Sequence, residues 1–371
     1  MAKFDAIVLG TGGVGSAALW HLARRGCKVV GLDRYAAPHD FGSSHGQSRI
    51  IRQAYFEHPD YTPLLLEAYR LWSELADQVE RQLYQEVGVL EIGPPDGEVV
   101  SGVLSAAQEY GLHVEQLAPV EIERRWPALR VPEGLLGVLE PRAGYLLVEQ
   151  CIEAHLEAAR EAGAELRSRV EVHSWQPGPP VTLRTSAGLL SADRLILTAG
   201  AWTGPLLDEL KLDLQVLRKS LFWFPPEIGQ VTAHQQIPCF FYDLPSGQYY
   251  GIPQIDQRGV KIAEHTGGQP ISDPLSMNRQ VDAGDSQRVG TFIGQHLPRL
   301  IQRPSDHTVC MYTMSPDGHF VVDCHPEHPH VVFAAGLSGH GFKFTSVLGK
   351  ALAELALNGK TDLPICFLAR R

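Results

Sequence analysis

The chain has 371 residues, enough to bury a large core and to form two domains rather than one. It is 44% apolar and 20% charged with a net charge of −10, and no cluster of Lys and Arg offers a nucleic-acid face. No uninterrupted apolar run reaches transmembrane length, and an apolar run beginning at Phe4 leaves an expectation of no signal peptide. The cysteines (Cys27, Cys151, Cys239, Cys310, Cys324 and Cys366) are scattered without metal-ligand spacing, which points to reduced thiols, a cytoplasmic location and no metal.

Phe4 to Leu9 is long enough for one buried strand. Gly10-Thr11-Gly12-Gly13-Val14-Gly15 follows at once, then Ser16 to Arg25 reads as a helix, with Gly26 placed for a left-handed C-cap. A second strand, Lys28 to Leu32, ends in Asp33. In such a unit Gly10 allows the tight turn, Gly12 lets backbone approach a pyrophosphate, and Gly15 lets helix pack closely on strand. The helix N-terminus faces the phosphates, Gly13 within it. Asp33 can accept from both ribose hydroxyls and would repel a 2′-phosphate. The pattern predicts dinucleotide binding.

Arg34 to Gln47 is a long irregular stretch, of a length that is usually functional when ordered. It leads into Ser48-Arg49-Ile50-Ile51-Arg52, whose two arginines read either as one side of a helical turn or as solvent-facing charges. Thr62 as N-cap and Pro63 begin a helix to about Arg81, buried along Leu65, Ala68, Trp72 and Leu75. Tyr84 to Tyr145 then alternates short strands with short helices and reads as an insertion. A helix from Val148 to Ala162 is followed by a strand at Glu165 to Arg167 and a further strand reaching Val172. Ala192 to Leu197 is a buried strand that breaks into a turn at Gly200.

Leu214 to Thr308 alternates as an antiparallel sheet does: Leu217 to Phe224, Cys239 to Asp243, Tyr249 to Ile252, Val260 to Glu264. Spacing alone would make Tyr250, Lys261 and His265 ordinary edge or surface residues. Near the end, Gly336-Leu337-Ser338-Gly339-His340-Gly341-Phe342-Lys343 feeds a helix to about Leu357, giving a second anion site at a helix N-terminus.

Four pieces together carry a resemblance: Gly42 to Arg49 with Arg52; Gln248-Tyr249-Tyr250-Gly251; Cys310-Met311-Tyr312-Thr313; and Ser338 to Phe344. The chain resembles the monomeric sarcosine oxidase and N-methyltryptophan oxidase group of D-amino-acid-oxidase-like flavoproteins, over nearly its whole length. The resemblance implies an α/β plus α+β fold: a Rossmann-like, glutathione-reductase-like FAD-binding domain with a parallel sheet, interleaved with a substrate domain on a mostly antiparallel sheet. Residues 1–83, 146–213 and 309–371 would form the first, and 84–145 with 214–308 the second.

The resemblance further implies FAD attached through a thioether from Cys310 to the 8α carbon, by attack of the thiolate on the oxidised ring system. Arg52 and Lys343 would hold the substrate carboxylate, a planar fork beside a point charge. Arg49 and Lys261 match basic residues on the two faces near the flavin, Lys261 the one that activates oxygen. Tyr250 and His265 match catalytic-cavity residues, with Phe241 beside the N-substituent. Ser43, His45, Val172, Gly200, Gly339 and His340 complete the expected cofactor contacts. The chain departs from the family pattern at Ser44-His45-Gly46-Gln47-Ser48 and at Phe241.

The implied reaction is oxidation of an N-methyl amino acid, with sarcosine first, N-methyltryptophan second, and proline or pipecolate open. Oxygen is the acceptor, and a monomer is expected. Two rivals stand beside it: an NAD-dependent dehydrogenase, supported by the glycine motif alone, and a non-catalytic FAD-binding subunit, which would have no use for a carboxylate clamp.

Overall fold

A computed structural model describes residues 3–227 and 237–371. Its first sheet is centred on β1 (Lys3–Leu9), which pairs in parallel with β2 (Val29–Asp33) on one side and with Gly188–Leu197 on the other. Glu165–Ser168 and Val331–Ala335 extend the parallel run outward, and the hairpin Val172–Gln176 with Val181–Thr185 joins one edge. Helix α1 (Gly13–Ala23) is buried at every position, as expected of a helix covered on all sides. It packs between the helices Val148–Glu161 and Thr345–Asn358 on one face of the sheet.

The nine-stranded second sheet is antiparallel except where Cys239–Leu244 runs parallel to Val89–Gly93. Its core is Phe- and Tyr-rich, with Phe222, Phe224, Phe240 and Tyr242 wholly buried. A third, small sheet sets β3 (Ser48–Ile51) against Gly144–Leu147, which also pairs with Tyr84–Glu86. β3 is the next element after the first βαβ unit, and its partner Gly144–Leu147 follows the second-sheet strand Leu136–Glu140.

Several expected boundaries shift. Residues 309–314, expected with the cofactor domain, lie within the unbroken strand Asp306–Met314 of the second sheet, with Cys310 opposite Lys219. The helix after β1 ends at Ala23, and Gly26 takes its left-handed turn (φ +80°) beyond the cap. Helix α2 (Tyr61–Gln78) starts before Thr62, whose hydroxyl donates to the Gln53 carbonyl instead of capping. The expected strand reaching Val172 instead begins there and runs to Gln176. Arg49 lies on a strand, not a helical turn; it is half-buried and lines the cavity, and Arg52 is buried there.

One core residue makes the fold sensitive to acid. His155 is fully buried between Trp20 and Trp72, ring centroids 5.6 and 5.1 Å away, and neither ring nitrogen has a partner. Burial pushes its pKa down to about 3. The unfolded chain therefore takes up this proton first, and stability falls as pH drops from the ordinary 6.5 toward 3. His155→Leu should flatten the acid limb of a Tm-against-pH profile, sparing about 2 kcal/mol at pH 5. An unchanged slope would exclude His155 as a source of the acid sensitivity.

Candidate active site

A cavity of about 550 Å³ runs from the β1–α1 turn to the face of the second sheet. At its first end the glycines act by close approach. Gly10 has φ +91°, and a Cβ there would sit 2.5 Å from the Thr198 carbonyl oxygen; one on Gly15 would fall 1.7 Å from that of Gly10. Gly10, Gly12 and Gly13 line the cavity, and Gly15 lies behind them as the helix–strand contact. A Cβ on Gly12 would meet its nearest protein atom, Ser44 Oγ, only at 4.0 Å, so space is open there for a ligand.

Asp33 also lines this end. Its Oδ2 accepts from Thr11 N and Oγ1, and its Oδ1 from Tyr35 N. Burial alone would raise its pKa, but these bonds and His39 hold it below the usual carboxylate range. Val172 and Gly200 complete the wall.

The middle of the cavity is bordered by residues 43–49. Ser43 and Arg49 line it, and Arg49 donates from Nη2 to the Ser43 carbonyl and from Nη1 to that of Ser48. Lys261 is not a wall residue. Its buried ammonium donates to the carbonyls of Gly46 and Ser48, and burial, then Arg49, pushes its pKa well down. Cys310 is likewise behind the wall formed by Met311, Tyr312 and Thr313, its Sγ 3.9 Å from Arg49 Nη2. His45 is buried off the cavity with Nε2 unpartnered, its pKa lowered by burial to about 3. The departure at Gln47 has a use: with φ +76°, it accepts from Trp223 Nε1 and donates to Asp256, tying this loop to the second sheet.

The far end combines aromatic walls with a positive floor. Phe241, Tyr250, His265 and Tyr312 face the cavity, with the His265 ring 5.7 Å from Phe241 and 5.8 Å from Tyr312. Burial takes His265 down to about 3 and Tyr250 up to about 12, so both are neutral in ordinary buffer. Lys343 donates to the His340 carbonyl at 2.7 Å and to Tyr55 Oη at 3.3 Å, and Tyr55 Oη lies 2.6 Å from His340 Nδ1. His340 and Gly339 line the cavity. Arg52, 5% exposed, lies with its Cζ 4.4 and 4.3 Å from the ring centroids of Tyr55 and Phe56, and its Nη1 has no partner.

Two acids escaped sequence reasoning. Glu57 lines the cavity and accepts from Arg52 Nη2 at 3.0 and 2.8 Å. Glu91, fully buried, lies 3.0 Å from Arg52 Nε. A charge inside the apolar run Val89-Leu90-Glu91-Ile92 was the available signal for the second.

The family model for FAD dependent oxidoreductases matches residues 5–355. The chain is 40% identical to the monomeric sarcosine oxidase of Bacillus sp. (strain B-0618), over 97% of this chain and 93% of that one. It is 38% identical to the N-methyl-L-tryptophan oxidase of Salmonella enteritidis PT4 (strain P125109), over 97% and 96%. Among solved structures, the open form of NikD, an amino acid oxidase of nikkomycin biosynthesis, superposes with a TM-score of 0.89 at 26% identity, covering 100% and 98%. The protein is thus an FAD-dependent amine oxidase, one that acts on CH–NH donors with oxygen as acceptor. Within that class it belongs to the group that contains monomeric sarcosine oxidase and N-methyl-L-tryptophan oxidase.

The cavity suits FAD. Glycine backbone and Asp33 stand at one end, and buried polar atoms without protein partners, on Trp202 and Thr345, stand along its walls. Burial, then Arg52, lowers the Lys343 pKa to about 7, so its charge is present below that pH and lost above it. Binding of a small carboxylate should weaken as pH rises through this range. Lys343→Met should cost about tenfold in acetate affinity at pH 6 and far less at pH 9. Equal affinities for the variant and the parent at pH 6 would remove Lys343 from the anion site.

Proposed function

We propose that the protein oxidises N-methyl amino acids, sarcosine foremost: sarcosine + O2 + H2O gives glycine, formaldehyde and H2O2. The observation that carries this is the pairing of Arg52, with Nη1 buried and unpartnered, and Lys343, with a lowered pKa, on a cavity walled by neutral aromatics. The cations suit the carboxylate, and the aromatic walls suit the carbon bonded to nitrogen.

FAD, when bound, supplies the acceptor for a hydride from the N-methyl carbon and passes the electrons to oxygen. The chain's own work is to bind, orient and hold the amine neutral. Arg49, Arg52 and Lys343 disfavour an ammonium in their midst, and the substrate's nitrogen gives up its proton to bulk water on binding. Tyr250, His265 and Phe241 exclude water from the reacting carbon. Phe241 also supports a second reading, because with Phe56 at 5.6 Å it offers a stacking surface for N-methyltryptophan or for a cyclic secondary amino acid such as proline or pipecolate.

Cys310 is our candidate for the covalent link, on the support of its sulfur lying beside Arg49 and of the residues after it lining the cavity. Lys261, held against the Gly46–Ser48 backbone, is our candidate for assisting oxygen. Gly10, Gly12, Gly13 and Asp33 would take the dinucleotide end, with Gly15 behind them, and Ser43, His45, Val172, Gly200, Gly339 and His340 would border the rest. Unpaired cysteines support a reducing compartment, read as cytoplasmic, and the curated relatives support a monomer. No described helix is long and apolar enough to cross a membrane.

Anaerobic titration with sarcosine should bleach the visible flavin bands. A yellow protein that stays unbleached would move the substrate to a bulkier or cyclic amine, and a colourless one would sink the reading. Acid precipitation should leave the colour in the pellet, and Cys310→Ala should release it to the supernatant. Lys261→Met should slow reoxidation by oxygen far more than reduction by substrate, and equal slowing of both would end its assigned role.

A further inference from the structure

Arg52 carries more negative charge around it than an anion-binding arginine needs. Glu57 takes its Nη2, while Glu91 Oε1 stands 3.0 Å from its Nε. The two carboxylates differ in kind. Glu57 borders the cavity, whereas Glu91 lies behind Arg52 on the strand Val89–Gly93, wholly out of solvent. Although one Glu91 oxygen is within ion-pair distance of Arg52, neither oxygen makes a directional hydrogen bond. A carboxylate so placed is held by charge alone.

The groups around Glu91 set its balance. Arg52 and Lys343 favour its anion, and Glu140 and Glu57 oppose it. Glu140, on the neighbouring strand Leu136–Glu140, accepts from the backbone N–H groups of Gln53 and Ala54 and so fixes the chain just after Arg52. Residues paired with Glu91 across the sheet are Phe241 and Val138, and the helix Glu98–Tyr110 over this strand buries only valines and alanines. Water and hydroxyl donors are therefore scarce, and burial pushes Glu91 up to about 8 against the pull of Arg52.

We infer that Glu91 is a proton-linked positioning residue for Arg52, holding the guanidinium through Nε while charged and taking up a proton when an anionic substrate claims that guanidinium. The proton comes from bulk water and forms an O–H bond on Glu91, and no other bond is made or broken. In the resting site above about pH 8 the negative charge of Glu91 offsets Arg52, so that a strongly cationic pocket is not left uncompensated. In the occupied site the substrate carboxylate does the offsetting, and a second anion beside it would repel. This inference rests on Arg52 being the carboxylate clamp.

The test is calorimetry of the holoenzyme with acetate, which has the carboxylate and no oxidisable C–N bond, in two buffers of different ionisation enthalpy. Glu91→Gln keeps the shape and fixes the neutral form. At pH 8.5 it should bind acetate about three- to tenfold more tightly than the parent, with the two converging at pH 6.5. It should also take up fewer protons per acetate bound. Lys343→Met, whose own titration is removed, should still take up a proton near pH 8. Parallel affinity profiles with equal proton uptake would overturn the inference, as would weaker binding at every pH with uptake unchanged, the mark of lost packing alone. Arg52→Ala separates the two layers: acetate affinity untouched by that change would fell the clamp itself, whereas affinity that depends on Arg52 but ignores Glu91→Gln would fell only this inference.

Discussion

Two arginines and two lysines gather at one cavity, Arg49 half-buried and Arg52, Lys261 and Lys343 buried, with the Lys343 charge present below about pH 7, and much of the local architecture makes such charge tolerable. Removing an ion from water costs several kcal/mol even after relaxation, so each needs acceptors fixed in advance. The chain supplies them largely from backbone. Ser43 and Ser48 turn carbonyls to Arg49, Gly46 and Ser48 to Lys261, and His340 to Lys343. The loop that carries the first of these carbonyls takes unusual dihedrals, φ +87° at Gly46 and +76° at Gln47. The conformation of the 43–48 loop is thus tied to the charges it surrounds.

On the proposed reading, that arrangement selects a substrate by electrostatics before it selects by shape. Titratable groups beside the cations are held neutral: His265 and His340 by burial on the basic side of their range, Tyr250 on the acidic side of its own. Positive charge is then confined to fixed positions, and a ligand gains most by presenting a carboxylate and an uncharged amine. The oxidisable lone pair is thereby made available without a dedicated base.

The parts of this structure that could be read from sequence are those written in short range. Strand, glycine turn, helix and acid fall within residues 4–33, and each has a local cause, so β1, α1 and β2 came out within a few residues of their true bounds. The strand that crosses residue 309 could not be assigned to a sheet from sequence because nothing local marks its partner. Asp306–Met314 changes neighbours, not pattern, and only its pairing with Gln215–Phe224 assigns it to the second sheet. Spacing alone also misjudged the site. Arg52 and Lys261 looked like surface charges because spacing does not report burial: Glu91 and the carbonyls that hold Lys261 lie far away in sequence, and Glu57, though near Arg52, sits in a loop; the resemblance, not periodicity, found them. Glu57 remained hidden in a loop where acids are usually solvated. Alternation would turn Glu91 to solvent, but that strand is covered on both faces.

The two missed acids change what the site is. With cations alone it would be an anion trap, binding carboxylates indiscriminately and paying a large desolvation penalty when empty. On our proposal Glu57, joined by Glu91 above about pH 8, brings the resting cavity closer to neutral, and the attraction for a carboxylate appears as the guanidinium exchanges one partner for another. Exchange of this kind costs less than creating a bare charge, since every state keeps Arg52 paired. It also gives discrimination. An uncharged amine has nothing with which to displace a glutamate, whereas a carboxylate substitutes for it directly and receives the free Nη1 as well. On this proposal Arg52 is a clamp whose resting partners are the glutamates, and its specificity comes from the competition.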